Sequence, residues 1–249
     1  MHADALLVGR FASVNERIAR ALARSGRSAF AGTGGVGDPA SVGLRLVAVS
    51  KTHPASLVAA LAGCWEADPN ALVGPVFGES YVQEALEKME ALHTLAPEWH
   101  FIGHIQSRKA RDIAGRFSLI HSLDSEKVAL ALHKALPDGA SQPVLVQVNV
   151  GREAQKSGVM PEKLEELLNT LQTMQALPAQ GLMCLPPYDE DGECSRPFFA
   201  ELRGLAEDMR VRTGLALPHL SMGMSHDLEV AIEEGATLVR VGTDIFGAR

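Results

Sequence analysis

Residues 44–51 read Leu44-Arg45-Leu46-Val47-Ala48-Val49-Ser50-Lys51. A short apolar run rich in β-branched residues is a strand buried on both faces. Pro54 then sits in the first turn of a helix over 54–61, where a missing N–H costs nothing. The same unit recurs down the chain. Strands are expected at 72–77, 99–102, 118–121, 144–150, 181–185, 219–222 and 237–241. Helices are expected at 81–92, 107–114, 126–136, 161–174, 196–213 and 227–234, from apolar residues spaced three and four apart. Eight strands alternating with helices, each strand nearly continuous in apolar residues, point to a (β/α)₈ barrel. A doubly wound open sheet is the rival arrangement.

Upstream, residues 3–25 form a helix on the spacing of Leu7, Phe11, Val14, Ile18 and Leu22, and Gly26 can end it. Only eight residues follow the last strand, so the N-terminal helix is expected to fill the eighth place in the outer ring. Residues 31–43 are a loop rich in Gly, Ala and Ser. There Gly32, Gly34 and Gly37 spell G-x-G-x-x-G, but no strand precedes them and Asp38-Pro39 follow. A dinucleotide site needs a strand before and a helix after, so the reading is a flexible loop. No composition break divides the chain, which is read as one domain over residues 1–249.

Composition narrows the function. The chain has 249 residues, 46% of them hydrophobic, which suits one large α/β domain. A net charge of -7 argues against nucleic acid as a partner. Cys64, Cys184 and Cys194 are scattered without ligand spacing and read as reduced thiols. No apolar run reaches the roughly 18 residues of a membrane span. Asp4 and the lack of a signal-peptide pattern fit a cytoplasmic protein.

In such a barrel, functional groups collect where strands end at their C-terminal side. Lys51 ends the first strand beside an apolar core. Partial desolvation there lowers a lysine pKa and makes a Schiff-base nucleophile. The bland alternative is a solvated lysine. Ser221-Met222-Gly223-Met224-Ser225 follows strand seven, and Val241-Gly242-Thr243 ends strand eight. Loops after strands seven and eight recur as the phosphate site of this architecture. Gly223 permits close backbone approach, and Ser225 is a candidate N-cap. Arg240 is a charge inside an apolar strand. It needs either a barrel glutamate or a ligand nitrogen, to which it can only donate. Asn149 ends strand five. His100 and His104 are four apart, but on strand and loop rather than helix, so packing and hydrogen bonding are favoured over a metal. His53 and His121 lack a ligand cluster.

These residues sit inside longer matches. The sequence resembles the pyridoxal 5′-phosphate (PLP) homeostasis proteins, whose barrel is like that of alanine racemase. The likeness is carried by Val14-Asn15-Glu16-Arg17-Ile18, Ala48-Val49-Ser50-Lys51-Thr52, Phe77-Gly78-Glu79-Ser80-Tyr81-Val82-Gln83-Glu84 and Trp99-His100-Phe101-Ile102-Gly103-His104. It continues through His121-Ser122-Leu123-Asp124, Gln147-Val148-Asn149, Lys156-Ser157-Gly158, Gly181-Leu182-Met183, residues 220–225 and residues 239–247. The resemblance implies PLP held as a Schiff base on Lys51. It implies phosphate contacts around Ser221, Met222, Gly223, Gly242 and Thr243, Arg240 at the pyridine nitrogen, and Asn149 beside the ring. It further implies a monomeric carrier in vitamin B6 homeostasis, with apo PLP enzymes as recipients and no catalytic residues of its own. Lys156, after strand five, is either a helper in passing PLP on or a solvated loop lysine.

Two features depart from the family pattern. Ser80 stands where the family usually has Asn, though Ser80 is expected to make a Ser-x-x-Gln capping box with Gln83 and so to start the helix. The stretches 31–43 and 63–75 are longer than usual. Two other readings stay open. One is a PLP-dependent racemase-type enzyme, which needs a base on each face of the substrate Cα. The only tyrosines are Tyr81 and Tyr188, and neither sits in a matching motif. The other is a phosphate-binding barrel isomerase that never meets PLP.

Overall fold

The computed structural model describes residues 2–27, 42–67 and 75–248. Its strands are β1 (Arg45–Val49), β2 (Val76–Glu79), β3 (Glu98–Phe101), β4 (Leu119–Leu123), β5 (Val144–Val148), β6 (Ala179–Cys184), β7 (His219–Ser221) and β8 (Leu238–Val241). They pair in parallel, in chain order, and close into a barrel. Closure runs through β1 and β8, where Arg45 faces Leu238 and Ala48 faces Val241. The open sheet is thereby excluded.

The helices are α1 (His2–Ser25), α2 (Ala55–Ala67), α3 (Val82–Ala91), α4 (Ala110–Ile113), α5 (Glu126–Ala135), α6 (Leu164–Gln172), α7 (Arg196–Thr213), α8 (Leu228–Glu233) and α9 (Thr243–Phe246). Period two divides the strands between two cores. Val47, Val76, Leu119, Leu145, Met183 and Leu238 form a cluster inside the barrel. Leu46, Ala48, Phe77 and Val146 belong to the larger cluster shared with the helices. An aromatic series, Phe11, Trp65, Phe77 and Trp99, crosses that outer layer with centroid spacings of 5.0, 6.3 and 5.6 Å. Each buried ring or aliphatic side chain contributes about 1.5–3 kcal/mol.

Helix α1 buries Leu7, Phe11, Val14, Ile18 and Leu22, as its periodicity predicts. It packs on α8, α9 and α2 and so takes the expected place in the outer ring. Arg17 pins it there. Its guanidinium bonds to Glu229 in α8 (2.6 and 2.8 Å), to Asp244 in α9 (2.5 Å) and to the Ser225 carbonyl (2.7 Å).

Several local readings need correction. The second strand is Val76–Glu79, two residues later than expected at its end. The element at 107–114 is a 3₁₀ turn, Ser107–Lys109, followed by the one-turn α4. Ser80 does not cap α3: Tyr81 holds the N-cap position without a side-chain bond. Gln83 bonds to Glu87 instead. Nor does Ser225 cap α8, whose N-cap is Asp227. The Asp227 carboxylate accepts from the Met224 N–H and the Ser195 hydroxyl, at 2.7 and 2.9 Å. Gly32, Gly34 and Gly37 lie outside the described residues, as do most of 31–43 and residues 68–74 of the longer 63–75 stretch.

Candidate functional site

Lys51 leaves β1 at the C-terminal mouth of the barrel. Ser50 extends the strand by donating its N–H to the Gly78 carbonyl at 3.1 Å. The chain then turns through Thr52, whose φ of 67° is left-handed and rare for a β-branched residue. Such strain persists only where the surroundings over-determine it. Here the Thr52 N–H donates to Glu84 at 2.5 Å, and its hydroxyl to the Lys51 carbonyl at 2.6 Å. Beneath the turn, Lys88 of α3 donates to the Ser50 carbonyl, Glu79 and Glu84 at 2.7, 2.6 and 2.7 Å. Ser50 adds a bond to Glu79 at 2.6 Å. Burial pushes the Glu79 carboxyl up, while the bonds from Lys88 and Ser50 oppose it. One charged knot between strand and helix thus fixes the segment that carries Lys51.

Lys51 opens on a cavity of about 370 Å³, which it lines with Val49, Ser80, Arg240, Gly242 and Thr243. Arg240 is 4% exposed. Neither of the expected partner types holds it within the protein: its side chain donates to Ser221 Oγ at 2.6 Å and to the Cys184 carbonyl at 3.0 Å. Among the described residues no carboxylate pairs with it, and its guanidinium, which can only donate, is among the groups that line the cavity.

The two small-residue loops meet at this cavity. Met224 and Ser225 line it from β7, and Gly242 and Thr243 from β8. Gly223 supports them from behind: its φ is +90°, and a Cβ there would lie 2.5 Å from the Ala231 side chain. Its carbonyl accepts from the Arg240 N–H at 3.0 Å. Ser221 and Met222 are fully buried and do not line the cavity. Asn149 does not line it either. Its carboxamide donates to the Glu153 and Lys156 carbonyls and accepts from the Glu153 N–H. Its role is to close the loop after β5.

Lys156 pairs with Glu153 at 2.6 Å and donates to the Pro186 carbonyl at 3.2 Å. It belongs to a second, more open groove at the mouth, with His104 and Arg108. His100 and His104 diverge: His100 points into the barrel, to His121, and His104 lies at the rim near Asp124. No cluster of three or more metal-ligating side chains occurs among the described residues.

Among the cavity residues that sequence reasoning missed are two that carry polar rings. Tyr188, after β6, and His226, after β7, have ring centroids 5.1 Å apart, and both line the cavity. Tyr188 is 74% exposed. Nothing in the local pattern singles out a tyrosine in an irregular loop.

Comparison with known proteins agrees with this geometry. Residues 43–249 match the family described as "Alanine racemase, N-terminal domain". The chain is 43% identical over 241 residues to the pyridoxal phosphate homeostasis protein of Aquifex aeolicus, covering 96% of this chain and 97% of that one. It is 44% identical to the protein of the same name from Pseudomonas aeruginosa, over 95% of this chain and 96% of that one. The structure of PipY from Synechococcus elongatus, with PLP bound, superposes with a TM-score of 0.71 at 36% identity, covering 82% of this chain and 92% of that one. A closed barrel with a lysine after its first strand and small-residue loops after its last two, together with identities of this size over nearly the whole chain, shows that the protein belongs to the pyridoxal phosphate homeostasis family.

Proposed function

We propose that this chain holds PLP on Lys51 as a Schiff base, and stores or delivers it within the cell, as a single domain over residues 1–249. The observation that carries the reading is the shared cavity. Lys51, Arg240 and both small-residue loops line it, and Arg240 has no carboxylate of its own among the described residues. PipY, a relative at 36% identity, is described with PLP bound.

PLP fits these residues by charge and by shape. Bound, it supplies an aldehyde that condenses with an amine, releasing one water. Lys51 Nζ is the amine. The loop backbone at Met224, Ser225, Gly242 and Thr243 presents a small, amide-rich surface for the phosphate, braced by Ser221, Met222 and Gly223. Asn149 acts one step removed, by shaping the loop after β5. Arg240 would face the ring nitrogen as a donor only, and would leave that nitrogen unprotonated and the ring a weaker electron sink. The site suits holding the cofactor better than rapid carbanion chemistry. Three unpaired cysteines fit a reducing, cytoplasmic setting.

Titration with PLP should give a visible absorption band that borohydride removes and that Lys51→Ala lacks. The loaded protein should reactivate an apo PLP enzyme. A Lys51→Ala protein that keeps PLP at full affinity overturns the reading. Absence of any band in the wild type favours a barrel isomerase that uses only the phosphate loops.

One observation bears on the second reading, a racemase-type enzyme: Tyr188 lines the same cavity as Lys51, where such an enzyme needs a second base. Turnover of a common amino acid that falls at least tenfold (about 1.4 kcal/mol) in Tyr188→Phe would support it. The carrier reading expects no robust turnover in either protein.

A further inference from the structure

A file of polar side chains runs down the barrel interior behind the cofactor site. Arg240 donates to Ser221 Oγ at 2.6 Å. Ser221 Oγ lies 2.8 Å from His121 Nδ1, and His121 Nε2 lies 2.9 Å from His100 Nδ1. His100 Nε2 lies 2.8 Å from Glu98 Oε1, and Arg45 bonds both oxygens of Glu98. Strands β8, β7, β4, β3 and β1 each contribute. Ser221, His121 and His100 are at most 1% exposed. The Glu98 and Arg45 side chains are 33% and 24% exposed, so the file ends near solvent at the far end of the barrel.

The hydrogens of this file can be assigned by elimination. A guanidinium only donates, so the Ser221 oxygen accepts from Arg240, and His121 Nδ1 is the acceptor within reach of the Ser221 hydrogen among the bonds described. His121 then carries its proton on Nε2 and gives it to His100 Nδ1. His100 carries its proton on Nε2 and gives it to Glu98. The far end demands the same direction, because a carboxylate only accepts. Reversal would leave the buried Ser221 hydroxyl without an acceptor and set an imidazole lone pair against Glu98, a penalty of the order of a lost buried hydrogen bond.

We infer that Glu98, His100 and His121 are positioning residues: they lock both imidazoles as neutral Nε2–H tautomers and so hold Ser221 as the fixed acceptor that aims Arg240 into the cavity. Burial supports the neutral state, since it pushes both imidazoles below their ordinary value despite the carboxylate beside His100. The effect on cofactor retention rests on Arg240 facing PLP; the tautomer assignment does not.

Long-range ¹H–¹⁵N correlation on the full-length, ¹⁵N-labelled protein reads the tautomers directly, with and without PLP. The expected result is a protonated Nε2 and a bare Nδ1 on both His100 and His121 near neutral pH. A proton on Nδ1 of either ring, or a doubly protonated ring, overturns the inference without any variant. His100→Phe keeps a ring of similar size and cuts the file. It should let His121 populate both tautomers and speed PLP release roughly two- to tenfold, the range of one lost hydrogen bond. Release at the wild-type rate overturns the positioning role, whatever happens to thermal stability. If the variant does not fold, the wild-type tautomers still decide. If the wild type takes up no PLP, the functional reading fails while the tautomer assignment stands or falls separately.

Discussion

Gly223→Ala and Gly204→Ala are the same chemical change, and the structure predicts opposite signs for them. Gly223 has φ +90°, and an added Cβ would meet the Ala231 Cβ at 2.5 Å and the Leu228 Cα at 3.3 Å. An L-residue in the left-handed region costs about 1–2 kcal/mol. The overlap adds about 1–3 kcal/mol, because Ala231 is fully buried in α8 and has little room to give. A loss of ~2–5 kcal/mol corresponds to a fall in Tm of about 4–20 °C for a chain of this size. The damage should reach function, since Gly223 precedes Met224 and Ser225 at the cavity. Gly204 lies inside α7 with nothing within 4 Å of its Cβ position. Alanine there should stabilise by about 0.5–1 kcal/mol, through helix propensity and a less free unfolded chain. Urea unfolding and PLP retention, measured on both variants, test the pair. Equal stability of the two variants, or a Gly223→Ala protein that keeps the wild-type Tm and PLP release rate, would refute the argument from backbone conformation and close packing.

Other consequences follow from the buried charges. Burial holds the His219 imidazole down, to about 4, so the unfolded chain takes up a proton that the folded one refuses as pH falls from about 6.5 to 4. That limb should cost up to ~3 kcal/mol, and His219→Gln should flatten it in urea titrations; equal stability at both ends would contradict it. At Glu98, burial pushes the carboxyl up, but the bonds from His100 and Arg45 outweigh this and bring it to about 2. Its contribution is therefore complete above about 4.5 and lost as pH falls toward 2, by about 1–2 kcal/mol after allowing for its exposure. Glu98→Gln should remove that lower limb, and a limb unchanged in the variant would count against the assignment. Arg17→Gln severs α1 from Glu229, Asp244 and the Ser225 carbonyl at once. It should destabilise by about 2 kcal/mol and lower Tm by about 4–8 °C, with faster PLP release; calorimetry showing no shift would mean the clamp carries no energy.

The barrel was legible because its strands are buried on both faces. Leu44 to Ser50 and Val144 to Val150 carry the parallel-sheet pattern without help from context. Lys51, Arg240, Gly242 and Thr243 were legible as a cavity because strand ends converge at one mouth. Position in the chain says nothing about depth, however. Ser221, Met222 and Asn149 sit among those same strand ends, yet they face inward or into their own loops. The caps at Ser80 and Ser225 failed for a different reason. Tyr81 and Asp227 occupy the N-cap positions, and Asp227 bonds to Met224 and Ser195 rather than to its own helix. The interior file was the least visible feature. His100, His121 and Ser221 lie on different strands, and only barrel closure puts their ring nitrogens and hydroxyl within 3 Å of one another.

The function of the site turns on which amine meets the cofactor. The most direct measurement is borohydride reduction of the PLP-loaded full chain, followed by proteolysis and mass spectrometry of the modified peptide. The stable pyridoxyl adduct should map to Lys51, stoichiometrically, and none should form at the site in Lys51→Ala. A principal adduct on Lys156, Lys88 or any other lysine, with Lys51 unmodified, would contradict it.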